Sequence, residues 1–415
     1  VQGSDQTGSA VVDHLRSLGI SIHVGHTASD IEGAEFVIRT AAIHDDNPEI
    51  AAAHRKGIPV FERAEAWGAI MQQYENAVCI AGTHGKTTTT SMTTHIFMAA
   101  QADPTVMIGG TLPMLHSGYR VGRGDTIILE SCEYCNSFLH FFPTVAVVLN
   151  VEADHLDFFK DLDDIKQSFR RFAQLTPQDG HIVANADDAG AMDALKGLPL
   201  FTFGCCEGAD CQARNLTWQH GRPDFDVVAG GKVYTHLSLR VAGLHNVYNA
   251  LAAASAAYVL GIPGKAVRQG LEGFFGAGRR FELKGQYNGA RIYDDYAHHP
   301  AELHALLDMA KSLGYDRVIC AFQPHTYTRT KALFEDFVQE LQIADVVVLT
   351  DIYAAREQNT IGISSRDLAD RIPNAYYCPS LRDAAEKLRE IARAGDLIIT
   401  VGAGDIYTVG EMLIS

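Results

Sequence analysis

The residues best suited to chemistry stand in one short stretch, where an apolar run is followed by glycines, a lysine and threonines. The run Val78–Ala81 predicts a buried strand, and the glycines after it predict a tight loop that leads into a helix. In such a loop, backbone N–H groups and the helix N-terminus hold phosphate, while lysine neutralises its charge and a hydroxyl binds Mg²⁺. The spacing Gly-x-x-Gly-Lys-Thr is shorter than the usual Walker spacing, and an ordinary glycine turn is the alternative. We favour an ATP site formed by Gly82, Thr83, His84, Gly85, Lys86, Thr87 and Thr88.

Polar side chains also follow two later apolar runs, each of which predicts a strand. The run Asp125–Leu129 ends on Glu130, and the run Thr144–Leu149 is followed after a few residues by His155. Because the carboxyl ends of parallel strands meet at one edge of a sheet, we expect these groups near the phosphate loop. A carboxylate at such a position is often only a helix cap. Two strand ends beside a phosphate loop nevertheless favour Glu130 and His155 as magnesium ligands.

Two further clusters could contact a nucleotide or a substrate. Asn246 and Asn249 open an alanine-rich helix, where they could present amides to a base or could simply cap the helix. Further along, the predicted strand Ala290–Asp294 runs into Asp295-Tyr-Ala-His-His-Pro300, and Pro300 suits the first position of a helix. Paired histidines beside aspartates and a helix start favour a functional site over core packing.

The elements that position these residues alternate between short apolar strands and helices, which predicts parallel α/β sheets. We expect three α/β domains: a Rossmann-like N-terminal domain at 1–75, a central P-loop ATPase domain at 76–277 and a Rossmann-like C-terminal domain at 278–415. Val1–Asp5 reads as a loop that follows a strand, and the usual first strand and glycine-rich turn are not found before it. We therefore expect that an N-terminal piece is missing.

Composition narrows the possible partners. The chain has 415 residues and a net charge of −16, which disfavours nucleic acid and anionic membrane surfaces as main partners. No apolar run approaches the roughly 20 residues of a membrane span, and no signal segment opens the chain, so we expect a cytoplasmic protein. The clusters Cys132-x-x-Cys135 and Cys205-Cys206-x₄-Cys211 lack a second pair at zinc-binding spacing, and structural zinc is not favoured.

Taken together, these motifs resemble the Mur ligases of bacterial cell-wall synthesis, and the resemblance covers essentially the whole chain. The most specific of them is the Asp-Asp-Tyr-x-His-His-Pro cluster followed by Phe-Gln-Pro-His325. The others are Gly-Ser-Asp5, Asp46-Asn-Pro48, Ala81-Gly-Thr-His-Gly-Lys-Thr-Thr-Thr-Thr90, Glu152-Ala-Asp-His-Leu-Asp157, His245-Asn246, Gly278-Arg-Arg-Phe-Glu282, Ile352-Tyr-Ala-Ala-Arg356 and Gly402-Ala-Gly-Asp405.

The resemblance implies an activity as well as a fold. ATP would phosphorylate the carboxylate of UDP-N-acetylmuramate, and the amine of L-alanine would attack the acyl phosphate, which is the first amino-acid addition of peptidoglycan synthesis. Two alternatives stay open: a recycling ligase that attaches a whole tripeptide to the same sugar nucleotide, and a catalytically inactive nucleotide-binding homologue. Oligomeric state is left undetermined.

The resemblance also assigns roles to individual residues. The residues implied in catalysis are Lys86, His155, His298 and Arg280. Those implied in nucleotide binding beyond the loop are His245, Asn246, Asn249, Arg280, Asp294 and Asp295. Mg²⁺ would be held by Thr87 and Glu130, with His155 on a second ion. The amino-acid pocket would contain Tyr296, His325 and Arg329, and the UDP site Ser4, Asp5 and Asn47.

Besides the glycine-rich turn that is not found before Val1, this chain departs from the family pattern at three points. The stretch Glu130-Ser-Cys-Glu-Tyr-Cys135 has two carboxylates fewer than in many members, which weakens Glu133 more than Glu130 as a ligand. Thr326 stands where many members have arginine, which leaves Arg329 as the remaining cation. Later-acting members carry a carbamylated lysine after the metal histidine, and Lys166 lies in that neighbourhood at a spacing that does not match.

Overall fold

The computed structural model describes residues 1–40, 42–156, 158–355 and 357–415. These residues form two compact units, Val1–Tyr74 with Tyr134–Phe142, and Glu75–Glu133 with Pro143–Ser415. Asp157 and Arg356, which belong to two of the motifs quoted above, lie outside the described residues. Among the helices of the described ranges, none is both long enough and apolar enough to cross a bilayer.

The first unit contains short strands paired in two small parallel sheets. Strand β1 (Gln2–Asp5) pairs with β2 (Ser21–Val24), and β3 (Val37–Arg39) pairs with β4 (Val60–Glu62). Its helical segments are α1 (Ala10–Ser17), α2 (Pro48–Lys56), α3 (Arg63–Met71) and the 3₁₀ segment Tyr134–His140. A small apolar cluster of Ile31, Ala52 and Ala53 holds the unit together.

The expectation that Val1–Asp5 is a loop is wrong. Gln2–Asp5 is β1, and its backbone pairs in parallel with β2, with Gln2 opposite Ser21. The strand was not predicted because Gln-Gly-Ser-Asp has no apolar alternation and is mostly exposed. Backbone hydrogen bonds, rather than burial of side chains, keep this segment extended.

The second unit begins with a ten-stranded mixed sheet. Its strands are β5 (Asn76–Ala81), β6 (Thr105–Leu112), β7 (Ser117–Arg120), β8 (Thr126–Glu130), β9 (Val145–Val148), β10 (His181–Asn185), β11 (Leu200–Gly204), β12 (Cys211–Gln219), β13 (Arg222–Ala229) and β14 (Lys232–Ser238). Their order across the sheet is β14-β13-β12-β11-β10-β9-β5-β8-β6-β7. The helices are α4 (Lys86–Ala99), α5 (Leu162–Ala173), α6 (Ala189–Ala194), α7 (Leu244–Val259) and α8 (Gly264–Glu272), with a 3₁₀ turn at Pro113–Leu115.

The strands predicted around the phosphate loop are confirmed, with small shifts at their ends. β5 runs in parallel between β8 and β9, and the side chains from Ala77 to Ala81 are all buried. Because β5 has a parallel neighbour on each side, its carboxyl end lies between theirs. This arrangement carries the phosphate loop, Glu130 and the segment after β9 to the same edge of the sheet.

The same unit contains a second sheet of six strands. Its strands are β15 (Glu282–Tyr287), β16 (Ala290–Asp295), β17 (Arg317–Phe322), β18 (Val346–Leu349), β19 (Ala375–Tyr377) and β20 (Asp396–Val401), in the order β15-β16-β20-β17-β18-β19. Its helices are α9 (Pro300–Ser312), α10 (Tyr327–Ala332), α11 (Phe334–Leu341), α12 (Ser365–Ala369), α13 (Leu381–Ile391) and α14 (Tyr407–Ile414). The predicted α/β fold class is confirmed, while the domain boundaries at 75/76 and 277/278 stay predictions.

Candidate active site

The loop after β5 is shaped by two glycines in the left-handed half of backbone space. Gly82 has φ 153° and Gly85 has φ 83°, which only glycine adopts without strain. The loop is also closely packed, since a Cβ on Gly85 would lie 2.6 Å from Asn249 Oδ1. A Cβ on Gly82 would lie 2.8 Å from the Leu149 side chain. Both glycines are therefore required by conformation and by space.

Helix α4 begins directly after this loop, and its first turn has the properties of an anion site. Gly85 is the N-cap and has no side chain that could bond the first N–H groups. Further along the helix, the buried hydroxyls of Thr90, Thr93 and Thr94 donate to carbonyls one turn earlier, as from Thr90 to Lys86 O at 2.8 Å. A threonine-rich helix can thus lie in the core with its N-terminus at the loop.

Lys86 is held at the loop by three groups. Its Nζ donates to Gly82 O at 2.5 Å and Thr83 O at 3.0 Å, and lies 3.1 Å from Glu133 Oε1. Burial lowers the pKa of Lys86, but the Glu133 carboxylate outweighs this effect and raises the pKa above its ordinary value. Lys86 is thus a fixed positive charge. Glu133 is only 2% exposed, so the residue that sequence reasoning gave less weight is the partner of the key lysine.

The predicted metal ligands are partly brought together. Thr87 Oγ1 lies 3.0 Å from Glu130 Oε1, and Glu130 Oε2 accepts a hydrogen bond from the Gly109 N–H at 2.7 Å. A hydroxyl and a carboxylate are oxygen donors of the kind that Mg²⁺ prefers, so this pair fits the ion. His155 lies at a second position, with Nε2 3.9 Å from Glu133 Oε1.

The predicted base-binding residues lie on the first turns of α7. Asn246 and Asn249 are buried and bonded to each other at 3.1 Å, and Thr89 Oγ1 donates to Asn249 Oδ1. Burial lowers the pKa of His245 to about 4, so its imidazole is neutral at neutral pH. These three residues line a cavity of about 1440 Å³. His84 of the loop and Arg280, which comes shortly before β15, line the same cavity.

The two aspartates at the end of β16 have different environments. Asp295 lines the cavity, and burial raises its pKa to about 6. Asp294 is fully buried, accepts from Arg279 Nε at 2.9 Å and Thr400 Oγ1 at 2.7 Å, and does not line the cavity. The guanidinium of Arg280 lies over the Tyr296 ring at 5.2 Å. Asp294 is thus engaged with structural partners, whereas Asp295 borders the cavity that Arg280 also lines.

The predicted amino-acid pocket residues form a cluster. The His325 ring lies 5.9 Å from the His298 ring, and Arg329 Nη1 is 3.3 Å from His325 Nδ1. Arg329 also donates to Asp154 Oδ1 at 2.9 Å. Burial raises the pKa of Asp154, but the guanidinium of Arg329 outweighs this effect and lowers it. Sequence reasoning missed the role of Asp154, although it lies inside a quoted motif.

Glu302 is a second group that sequence reasoning missed. Its Oε1 accepts from His84 Nδ1 at 3.0 Å, while Oε2 accepts from the backbone N–H groups of His298 at 2.9 Å and His299 at 3.3 Å. Burial raises the pKa of Glu302, but His298 and His84 outweigh it and lower the pKa well below its ordinary value. A glutamate three residues after an N-cap is a capping-box signal that could have identified it.

The first unit contains its own polar cluster. Ser4 Oγ donates to Glu49 Oε1 at 2.6 Å, and His26 Nδ1 lies 2.8 Å from the same oxygen. The predicted residue Asn47 accepts from the Glu49 N–H at 2.9 Å. Asp5 accepts from the Thr7 N–H at 3.1 Å. The structure thus places Ser4 and Asn47 around Glu49, which sequence reasoning did not identify.

Comparison with protein families accounts for nearly the whole chain. Residues 1–75 match the Mur ligase family, catalytic domain, residues 80–257 match the Mur ligase middle domain, and residues 279–404 match the Mur ligase, glutamate ligase domain. Curated relatives include the UDP-N-acetylmuramate–L-alanine ligases of Caldanaerobacter subterraneus subsp. tengcongensis and Clostridium novyi. The first is 46% identical over 99% of this chain and 91% of the relative, and the second 45% identical over 100% and 92%.

Solved structures agree with these matches. The UDP-N-acetylmuramate-alanine ligase of Thermotoga maritima is 29% identical, with a TM-score of 0.84 over 100% of this chain and 92% of the other. A murein peptide ligase from Psychrobacter arcticus has a TM-score of 0.72 over the same shares at 24% identity, which shows the fold alone. The matched models and the full-length identity lead to one conclusion: the chain belongs to the Mur ligase family.

Proposed function

We propose that this chain is an ATP-dependent ligase that joins L-alanine to the carboxylate of UDP-N-acetylmuramate, the first amino-acid addition of peptidoglycan synthesis. Identity of 45–46% to ligases of that name, over almost the whole chain, supports this choice over the tripeptide ligase. The observation that carries it is the ion pair between Arg329 and Asp154. This ion pair links Arg329 of the proposed amino-acid pocket to Asp154, the residue before His155. We therefore infer that phosphoryl transfer and attack by the amine occur close to each other.

In the first step, a carboxylate oxygen of the sugar nucleotide attacks the γ-phosphorus of ATP, and ADP leaves. Phosphoryl transfer depends mainly on positioning and on neutralising charge. The loop N–H groups bind the phosphates, and Lys86 supplies a positive charge that its partner Glu133 keeps in place. His245, Asn246 and Asn249 bind the base, and Arg280 and Asp295 border the nucleotide cavity, while Asp294 pairs with Arg279, the residue before Arg280.

We assign a magnesium site to Thr87 and Glu130, with His155 on a second ion. Bound Mg²⁺ supplies charge neutralisation at the phosphate oxygens. Thr87 and Glu130 offer oxygen donors at the mouth of α4, and Gly109 fixes the second oxygen of Glu130. These contacts orient the carboxylate before any ligand arrives.

In the second step, the amine of L-alanine attacks the acyl carbon, and phosphate leaves as the amide forms. The amine must first lose a proton. We assign this role to His298, because burial lowers its pKa and keeps the ring unprotonated at neutral pH, and because its Nδ1 lies 3.0 Å from the Tyr296 carbonyl oxygen. Donation from Nδ1 to that carbonyl leaves the Nε2 lone pair to accept the proton. Tyr296, His325 and Arg329 bind the amino acid.

We assign UDP binding to Ser4, Asp5 and Asn47 in the first unit, where Glu49 orients two of them. We also propose the domain boundaries at 75/76 and 277/278, and a cytoplasmic location, where ATP and nucleotide sugars are available as substrates.

The direct test measures phosphate release from ATP with Mg²⁺, UDP-N-acetylmuramate and one amino acid at a time. We expect release that depends on both the sugar nucleotide and L-alanine, with D-alanine and glycine as matched controls. Release with the stem tripeptide but not with L-alanine would replace the proposal by the recycling ligase. Binding of ATP without turnover on any acceptor would favour the inactive homologue.

The metal assignment has its own test. His155→Ala should raise the Mg²⁺ concentration required for half-maximal activity, because one ligand is lost. His140→Ala, which removes a histidine of the first unit, is the control. An unchanged magnesium titration for His155→Ala would remove that residue from the metal site.

A further inference from the structure

Two histidine rings from distant parts of the second unit face each other. His84 lies in the phosphate loop and His299 is the N-cap of α9, and their ring centroids are 5.0 Å apart at an interplanar angle of 43°. Both Nε2 atoms are buried; that of His299 has no hydrogen-bond partner among the described residues, and that of His84 has only a long contact of 3.5 Å with Glu152 Oε2. A buried polar atom without a partner destabilises the folded state. An unsatisfied nitrogen on His299 beside a loosely paired nitrogen on His84 indicates that a ligand completes both.

Glu152 supplies a third donor to the same point. Its Oε2 lies 3.5 Å from His84 Nε2, and one donor atom from each of His84, Glu152 and His299 lies within 4.8 Å of the other two. Donors bound tetrahedrally at about 2.1 Å stand roughly 3.4 Å apart. An adjustment of about an ångström in these side chains therefore completes a coordination shell. Two imidazole nitrogens and one carboxylate are donors that Zn²⁺ and Co²⁺ favour.

The charge around the cluster selects a cation over a phosphate. Glu302 Oε1 lies 3.0 Å from His84 Nδ1, and Asp188 is near enough to interact with Glu152. A carboxylate on Nδ1 fixes the tautomer that presents Nε2 to a metal and makes the ring a better ligand. When His299 binds a metal through Nε2, its proton lies on Nδ1, which can then no longer accept from the Ala301 N–H. The loss is small, because that contact is long at 3.4 Å.

We propose that His84, Glu152 and His299 form a site for a divalent cation of the Zn²⁺ class. It is separate from the Mg²⁺ site assigned to Thr87, Glu130 and His155, and it does not depend on the proposed ligase activity. Its three ligands come from the phosphate loop, the segment after β9 and the start of α9. A bound ion would therefore tie the phosphate loop to the helix that carries the histidine pair and would slow turnover.

The test is calorimetric titration of the full chain with Zn²⁺ in a large excess of Mg²⁺, which prefers oxygen ligands. We expect one saturable site, and intense visible absorption of tetrahedral Co²⁺ when that ion is used instead. Binding should be lost in His299→Ala and in Glu152→Gln. Glu302→Gln should weaken it by about 10–100-fold, as for other groups that orient a metal ligand.

Matched variants separate this site from others. His304→Ala removes an exposed histidine from α9, the helix that His299 caps, and should leave Zn²⁺ binding unchanged. Glu152 is 42% exposed, so Glu152→Gln should fold normally, and thermal unfolding checks each variant. Saturable binding that survives in Glu152→Gln and His299→Ala, or that is lost only in Glu130→Gln, would overturn the proposal. Absence of saturable binding in the unmodified chain would also overturn it and leave the cluster as an ion pair.

Discussion

The phosphate loop follows one parallel strand, and the polar cluster of the first unit includes Ser4 within another, yet different forces hold them. β5 is buried between two neighbours, and the threonines at the start of α4 lie in the core. β1 is mostly exposed, and Ser4 at its end is held by bonds to side chains of His26 and Glu49. The loop geometry therefore depends on the core, whereas the Ser4 cluster depends on a few polar contacts.

Of the variants that compare the two regions, Lys86→Ala should cause the largest losses of activity and of stability. We expect the ligation rate to fall by about 10³-fold or more, as when a cation on the transferred phosphoryl group is removed. The change also leaves Glu133 buried without its cation, which costs about 3–5 kcal/mol of folding free energy. Urea unfolding and phosphate release measure the two effects separately.

The double variant Lys86→Ala/Glu133→Gln is the control for this prediction. It should recover much of the stability but none of the activity, because the buried charge is gone while the phosphates still lack a cation. Near-normal turnover in either variant would exclude the role proposed for Lys86.

Gly85→Ala should weaken nucleotide binding by at least about tenfold, which corresponds to 1.4 kcal/mol. The left-handed backbone costs an alanine about 1–2 kcal/mol, and the new Cβ would lie 2.6 Å from Asn249 Oδ1. Gly57→Ala is the matched control, because Gly57 has φ 67° but no atom of the described residues within 4 Å of the position that a Cβ would take. Equal losses of ATP affinity in the two variants, measured by calorimetry, would show that packing at Gly85 is unimportant.

The ion pairs of His84 should make stability dependent on pH in metal-free buffer. Burial lowers the pKa of His84, but Glu302 and Glu152 outweigh it and raise the pKa from 6.5 to about 10. The folded state therefore keeps a proton that the unfolded state loses, and this stabilisation is complete below pH 6.5 and lost as pH rises toward 10. The free energy of unfolding should fall less over that range in Glu302→Gln than in the unmodified chain.

Urea unfolding at pH 6.5 and pH 10 measures this slope. Glu340→Gln, which removes the carboxylate beside the exposed His304, is the control and should leave the slope unchanged. Parallel pH profiles for Glu302→Gln and the unmodified chain would contradict the assignment.

Ser4→Ala should have the smallest effect. Loss of one hydrogen bond of about 1 kcal/mol should raise the KM for UDP-N-acetylmuramate by roughly five- to tenfold, with kcat unchanged. Ser17→Ala, in which an exposed hydroxyl bonded to a helix carbonyl is removed, should change neither constant. A fall in kcat with KM unchanged would mean that the Ser4 cluster acts on the chemical step and not on binding.

Sequence reasoning found the parts of the site that local patterns encode. Apolar runs, glycines and the Lys-Thr pair predicted the loop, its strand and its helix, which the structure confirms, whereas Glu130 and His155 as magnesium ligands stay predictions. It failed at β1, where backbone pairing replaces apolar alternation. It also gave too little weight to Glu133, because a single carboxylate in a segment with few others has no local signature.

The sequence by itself determined β5 and its neighbouring strands, the start of α4, the glycine loop between them and the family, because these depend on neighbours along the chain and on turn residues. Only the tertiary structure decided which charges meet. Lys86 and Glu133 are 47 residues apart in sequence, Asp154 and Arg329 are 175 apart, and His84 and Glu302 are 218 apart. Such pairs are set by the order of strands in two sheets and by the packing of α9 in the same unit. No local pattern encodes these distances, since each depends on the whole intervening fold.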